Sequence, residues 1–205
     1  MNNVAPSPTP DAGRSGESDS PALAWFKALQ DNPGARARLR RCRSPVEAML
    51  EPAAIQLATR LGVLNARSRA SDDRVPAALD LARVLAHVKE HDGRKRVMQS
   101  AGWKTFAGDR NESDGGDDRP RLSQARFRRL LATSGGEPLV VAFVRLIRLL
   151  EDGKVNVVEL SNDFLGWTDP TRSAGVRRRW AFDYFAAGVA APQTSGTFTD
   201  SEAKP

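Results

Sequence analysis

LVVAFVRLIRLL, residues 139–150, sets the fold class. Read as a helix it is apolar almost all the way round, which marks it as the buried core of a helical bundle. Its only polar side chains, Arg145 and Arg148, sit three apart, so they project from one face about a turn from each other. Guanidiniums on such a helix either snorkel out at the edge of the core or line a groove that receives an anion. Arginine-rich segments flank it on both sides: RLSQARFRRLL at 121–131 and VRRRWAFDYF at 176–185.

Working outward, the other periodic stretches are helical too. Ser20-Pro21 opens PALAWFKALQ, with Leu23, Phe26 and Leu29 near one face. Asn32-Pro33 restarts a short helix in which Arg36, Arg38, Arg40, Arg41 and Arg43 surround Leu39. Ser44-Pro45-Val46-Glu47 has capping-box spacing, and Pro52 begins another amphipathic helix through Leu64. Helical periodicity returns from Pro76 to His91 and, more weakly, from Arg94 to Phe106. Leu122–Ser134 carries a Phe127, Leu130, Leu131 core stripe, with Arg126 and Arg129 on one flank and Arg121 and Arg128 on the other. Asn156 to Glu159 again has cap spacing and starts VVELSNDFLGW; the last helix spans about Ser173 to Ala187, with Val176, Trp180 and Tyr184 as its core stripe. In VNVVEL, the one place where strand alternation competes, the cap favours helix. The expected class is all-α.

The domain plan follows from composition. Residues 1–20 and 189–205 read as disordered tails, and 108–120 (GDRNESDGGDDRP) as an acidic flexible linker without apolar residues. They bracket an N-terminal helical module at 21–107 and a C-terminal one at 121–188, two small helical bundles.

The net charge is +6, but its distribution matters more. Residues 1–20 carry −2, residues 190–205 carry −1 and residues 109–118 carry −4, which leaves +13 on the parts expected to fold. A body that basic attracts polyanions, nucleic acid first. The chain has 25 Arg against 6 Lys, and a coding bias explains that ratio without explaining the surplus over acids. No window approaches the ~18 consecutive apolar residues of a membrane span. The opening MNNVAPSPTPDAGRSGESDSP has neither the basic start nor the apolar run of a signal peptide, so the expected location is cytoplasmic, with no membrane partner.

No catalytic constellation stands out, and no cofactor or metal is expected. Cys42 is the single cysteine, set among arginines that would lower its pKa, but no histidine lies near it in sequence. His87 and His91, four apart on one helix, lack a third ligand. Gly135-Gly136 has neither the preceding strand nor the following Lys-Ser or Lys-Thr of a phosphate loop.

Three arginine clusters remain: Arg36 to Arg43; Arg126 and Arg129 with Arg145 and Arg148, which adjacent antiparallel helices would merge into one groove; and Arg177, Arg178 and Arg179, which fan round the last helix. A solvated face with local acid partners is the alternative reading of each. It is weakest for Arg145 and Arg148, whose helix offers no acid until its end.

AWFKALQDNPGARARLRRCRSPVEAML resembles the start of the CasB-type small subunit of Cascade, the type I-E CRISPR surveillance complex. RLSQARFRRLL, VRLIRLLEDGKVNVVELSNDFLGW and VRRRWAFDYF are similar to the same family in the same order, so the resemblance spans about two thirds of the chain. It implies a non-enzymatic helical subunit of an antiviral ribonucleoprotein. Such a subunit pairs head-to-tail with a second copy along the Cas7-type backbone, beside the large subunit. There it helps stabilise the R-loop by contacting crRNA, target strand and displaced strand. By position it implicates Arg40 and Arg41, then Arg126, then Arg145 and Arg148, and the Arg177–Arg179 patch. Joined with the cluster reading, the candidate nucleic-acid contacts are Arg40, Arg41, Arg43, Arg126, Arg129, Arg145, Arg148, Arg177 and Arg178. R-loop formation is nearly balanced in base-pair energy, so modest backbone contacts tip it. About five neutralised phosphates would give a single-strand log–log salt slope of roughly −3.5. Two other classes compete: a helix-turn-helix DNA-binding regulator, for which the short turn before a recognition helix is missing, and a purely structural interaction protein.

Overall fold

The computed structural model describes residues 20–64, 74–102, 120–150 and 153–186. The two tails and the acidic linker fall outside these, apart from Ser20 and Pro120, as does the end of the helix expected through Phe106. Among the described residues ten helices dominate: α1 (Pro21–Gln30), α2 (Pro33–Arg41), α3 (Pro45–Met49), α4 (Pro52–Arg60), α5 (Arg74–Leu85), α6 (Val97–Ala101), α7 (Gln124–Leu131), α8 (Glu137–Leu149), α9 (Val157–Thr168) and α10 (Ser173–Ala186). The fold is predominantly all-α.

The punctuation is local and legible. Proline occupies the first turn of α1 to α4 and of α8, where its missing N–H costs nothing. Asn32 accepts a hydrogen bond from Ala35 N, Ser44 from Glu47 N and Asn156 from Glu159 N, at 3.0–3.1 Å. At the Ser44 box the return arm shifts by one residue: Glu47 Oε2 accepts from Arg43 N at 2.8 Å.

The most completely buried helix is α5, not α8. From Val75 to Leu85 every residue except Pro76 is buried, because α3, α4, α8 and α9 all pack around this helix. Helix α8 buries Leu139, Val140, Phe143, Leu146 and Ile147 and leaves Val141, Arg145 and Arg148 exposed. Those three recur at spacings of four and three, so the helix has one open stripe despite its apolar composition. Trp25, Leu57 and Leu81 share one contiguous hydrophobic core with Phe143, Phe164 and Trp180, and α5 and α1 both pack on α9. Helices from both sides of the acidic stretch therefore build that core together. Gly166 lets α9 and α10 approach: a Cβ there would come within 2.8 Å of Val176 Cγ2.

Two expectations are corrected. The helix read from Pro76 to His91 stops at Leu85, and Glu90–His91 forms a strand, β1, parallel to β2 (Lys154–Val155). Arg36 and Arg40 explain the stop, since their Nε atoms donate to Ala86 O at 3.0 and 2.7 Å and Arg36 also donates to Val88 O. Carbonyls at the end of a helix need such external donors. The VNVVEL stretch is likewise split, with Val155 in the strand and α9 beginning at Val157. His91 Nδ1 accepts from Val157 N at 3.1 Å, so this histidine caps α9. His87 and His91 therefore do not share a helix face, and among the described residues no cluster of three or more His, Cys, Asp or Glu residues could hold a metal ion. No helix of the described residues is long and apolar enough to cross a membrane.

Candidate functional site

A groove of about 620 Å³ lies between α2 and α8. One wall is Leu39, Arg40 and Arg41 of α2 with Cys42 and Arg43 of the turn that follows. The facing wall is Val140, Val141, Val144, Arg145 and Arg148 of α8. Arg83 of α5, His87 just beyond it and Glu137 at the start of α8 complete the lining.

The deep part of the groove is charge-compensated. Arg83 is buried; its Nη1 reaches Asp80 Oδ1 at 2.7 Å and Glu137 Oε2 at 2.8 Å, Nη2 reaches Glu137 Oε1 at 3.1 Å, and Nε donates to Cys42 O at 3.0 Å. One guanidinium thus ties α5 to the α2–α3 turn and to the N-terminus of α8, and holds the two walls apart at a fixed spacing. Burial pushes the Asp80 carboxyl above its usual range, and Arg83 opposes that shift. His87 is held down at about 4, first by burial and then by Arg148, Arg40, Arg36 and Arg83, so it is neutral near pH 7.

The rim is cationic. Arg41, Arg43, Arg145 and Arg148 are exposed, and none has a carboxylate within ion-pair distance among the described residues. Arg40 spends its Nε on Ala86 O, and its residue remains exposed. Between them, α2 and α8 with the turn after α2 aim five exposed arginines at one concave surface, with Glu137 already engaged by Arg83.

The sequence grouping of the arginines is redistributed. Arg145 and Arg148 do line a groove, but Arg40, Arg41 and Arg43 face them. Arg126 and Arg129 are exposed on α7 and do not line it. The reason is aromatic packing: Phe127 stacks on Tyr184 with centroids 4.1 Å apart, and Tyr184 Oη donates to Leu122 O at 2.7 Å, which fastens α7 to α10. The Arg177–Arg179 run divides. Arg177 donates to Thr133 O at 3.0 Å and lies 5.1 Å from the Trp167 ring centroid, Arg179 pairs with the buried Asp163, and Arg178 is exposed. Val176, Trp180 and Tyr184 are core, as their spacing predicts.

Arg83, His87 and Glu137 are lining residues that the sequence patterns do not single out as groove residues. A signal for Arg83 is nonetheless present: it interrupts an apolar run three residues after Asp80, which is helical ion-pair spacing. The Cys42 expectation reverses. Burial, then Glu51 and Glu47, raises this thiol against the opposing Arg83, and the neighbouring arginines of α2 do not activate it.

Comparison with known proteins follows the same outline. A solved structure, CasB from Thermus thermophilus, is similar with a TM-score of 0.55 at 22% identity, covering 80% of this chain and 95% of that one. At that identity the likeness speaks for the fold. No curated protein matches the chain. The family described as CRISPR-associated protein Cse2 matches residues 35–185, a span that runs from the start of α2 to the end of α10 and takes in both walls of the groove. On that match the chain belongs to the CRISPR-associated Cse2 family.

Proposed function

We propose that this chain is the non-catalytic small subunit of a Cascade-type CRISPR surveillance complex and that it holds nucleic-acid backbone in the groove between α2 and α8. One observation carries the reading: five exposed arginines, drawn from segments about a hundred residues apart in sequence, converge on a single concave surface. Guanidiniums suit phosphate because their planar donor forks match its oxygens. Family membership and the likeness to CasB support the setting, an effector ribonucleoprotein with a Cas7-type backbone, a large subunit and a second copy of this chain as partners. The proposed task is to stabilise the R-loop, where a few phosphate contacts suffice because the strand exchange is nearly balanced.

The geometry ranks the sequence candidates. Arg41, Arg43, Arg145 and Arg148, with Arg40, are the proposed groove contacts; Arg126, Arg129 and Arg178 form separate exposed positions for the same polyanion elsewhere on the surface. Arg177 stands apart, because its guanidinium is already bound to Thr133 and Trp167.

Salt dependence tests this. Binding of single-stranded, duplex and R-loop DNA is measured over a series of salt concentrations, with the chain alone and in the assembled complex. The Arg145→Ala, Arg148→Ala pair should lower the single-strand salt slope by about 1.4, at roughly 0.7 per phosphate lost. In the complex, Arg145→Glu with Arg148→Glu should shorten R-loop retention while leaving the helical signal intact. Unchanged retention with an intact fold sinks the groove assignment, and tight, salt-resistant binding to one duplex sequence sinks the subunit reading.

A further inference from the structure

We propose that the groove between α2 and α8 takes an unpaired nucleotide, with its phosphates on the arginine rim and its base against the valine wall. The proposal rests on the reading of this groove as a nucleic-acid site and goes further by naming the part of the polymer that enters.

Backbone contact alone does not account for how the groove is made. Phosphates are strongly hydrated and are served by guanidiniums on an open polar surface. Here Val140, Val141 and Val144 stand on the same wall as Arg145 and Arg148, and Val141 is 36% exposed. Apolar side chains beside a phosphodiester gain nothing, whereas the face of an unstacked base gains by covering them.

Charge is also graded with depth. The exposed arginines of the lining, Arg40, Arg41, Arg43, Arg145 and Arg148, have no carboxylate partners among the described residues, and the exposed carboxylate of the lining, Glu137, is held by Arg83. The buried one, Arg83, has its charge answered by Asp80 and Glu137. His87, half-buried, is faced by Arg36 and Arg40 of α2, Arg83 of α5 and Arg148 of α8, and is neutral near pH 7. A neutral imidazole presents one N–H donor and one acceptor, the complement of a base edge; a phosphate would be served better by another cation. Cationic at the mouth, apolar on one side and neutral-polar within, the groove matches a nucleotide entering base first. A paired base has its faces stacked and its edge occupied, so duplex is excluded from this seat and single strand is admitted.

The test compares two probes on the full chain at low salt: an oligothymidylate and an abasic oligomer of the same length and backbone. The thymidylate should bind about tenfold more tightly, the scale of covering about 50 Å² of apolar surface at roughly 25 cal/mol per Å². Val141→Ala with Val144→Ala should reduce thymidylate affinity about fivefold and leave the abasic oligomer unchanged. Arg145→Ala with Arg148→Ala should weaken both oligomers alike. Equal affinity of the native chain for the two oligomers overturns the base seat and leaves the backbone reading standing. Binding to neither overturns both. A valine pair that weakens both oligomers equally also overturns the base seat. Because the first comparison uses only the native chain, it holds even if a variant fails to fold.

Discussion

On the α6–α9–α10 side of the molecule Arg96 meets Asp183 at 2.8 Å, Arg179 meets the buried Asp163, and Arg177 lies over Trp167. On the α2–α8 side Arg41, Arg43, Arg145 and Arg148 meet no carboxylate among the described residues. The residue type is the same and the local sequence density of arginine is similar, yet one set is structural and the other is available to a ligand. The difference lies in which carboxylates the fold delivers. Helix α9 brings Asp163 to α10, and α10 brings Asp183 to the start of α6; the groove receives only Glu137, which Arg83 takes. Positive charge alone therefore does not mark a binding arginine. An unanswered charge on a concave surface is what the proposed contacts have in common.

The largest expected effect comes from unlocking the floor of the groove. Arg83→Leu should destabilise the fold by about 3–5 kcal/mol, because it strands the buried Asp80 and frees the start of α8; chemical denaturation measures this, and a loss under about 1 kcal/mol would show that Arg83 does not fix the groove. The pH dependence separates the two sides next. Glu159 accepts a hydrogen bond from Val97 N, and burial raises it from 4.5 to about 7. The folded state thus binds the extra proton, and stability falls as pH rises from 4.5 to 7, by about 3 kcal/mol for a shift of this size. Glu159→Gln should flatten that slope. His87 works in the opposite sense: its folded value is lowered from 6.5 to about 4, so its contribution is present above 6.5 and lost as pH falls toward 4. Stability curves for His87→Gln and Glu159→Gln should therefore deviate from the native chain in opposite directions between pH 4.5 and 6.5.

A packing prediction is smaller. Gly166→Ala should cost about 1–3 kcal/mol despite alanine's better helix propensity, since the new methyl meets Val176 where α9 crosses α10. The smallest stability effect belongs to the rim: Arg145→Ala and Arg148→Ala should each change stability by less than about 0.5 kcal/mol, measured by denaturation. If either destabilises the fold strongly, the contrast between structural and available arginines fails at that residue.

Much of the fold is legible in the sequence because its signals are local. The proline starts, the Asn32, Ser44 and Asn156 caps, and the Val176–Trp180–Tyr184 stripe each involve residues within one or two turns of each other. The departures share a cause in distant contacts. Periodicity carries the fifth helix through to His91 because its true stop depends on Arg36 and Arg40, about fifty residues earlier. Composition makes residues 139–150 look like the innermost helix because it does not reveal that Val141, Arg145 and Arg148 make one open stripe. Helix α5, with Asp80 and Arg83 in its interior, is buried at every position from Val75 to Leu85 except Pro76.

By itself the sequence determined that this chain is helical, where most helices start, and that Arg145 and Arg148 share a face, since periodicity, caps and spacing act over a few residues. Tertiary structure decided what that face looks at. Aromatic stacking of Phe127 on Tyr184 drew α7 and its arginines to α10, and Arg83 tied α2 and α8 together as facing walls. Which arginines find acids is settled by which helices pack, and packing is fixed by apolar surface and buried pairs far apart in the chain.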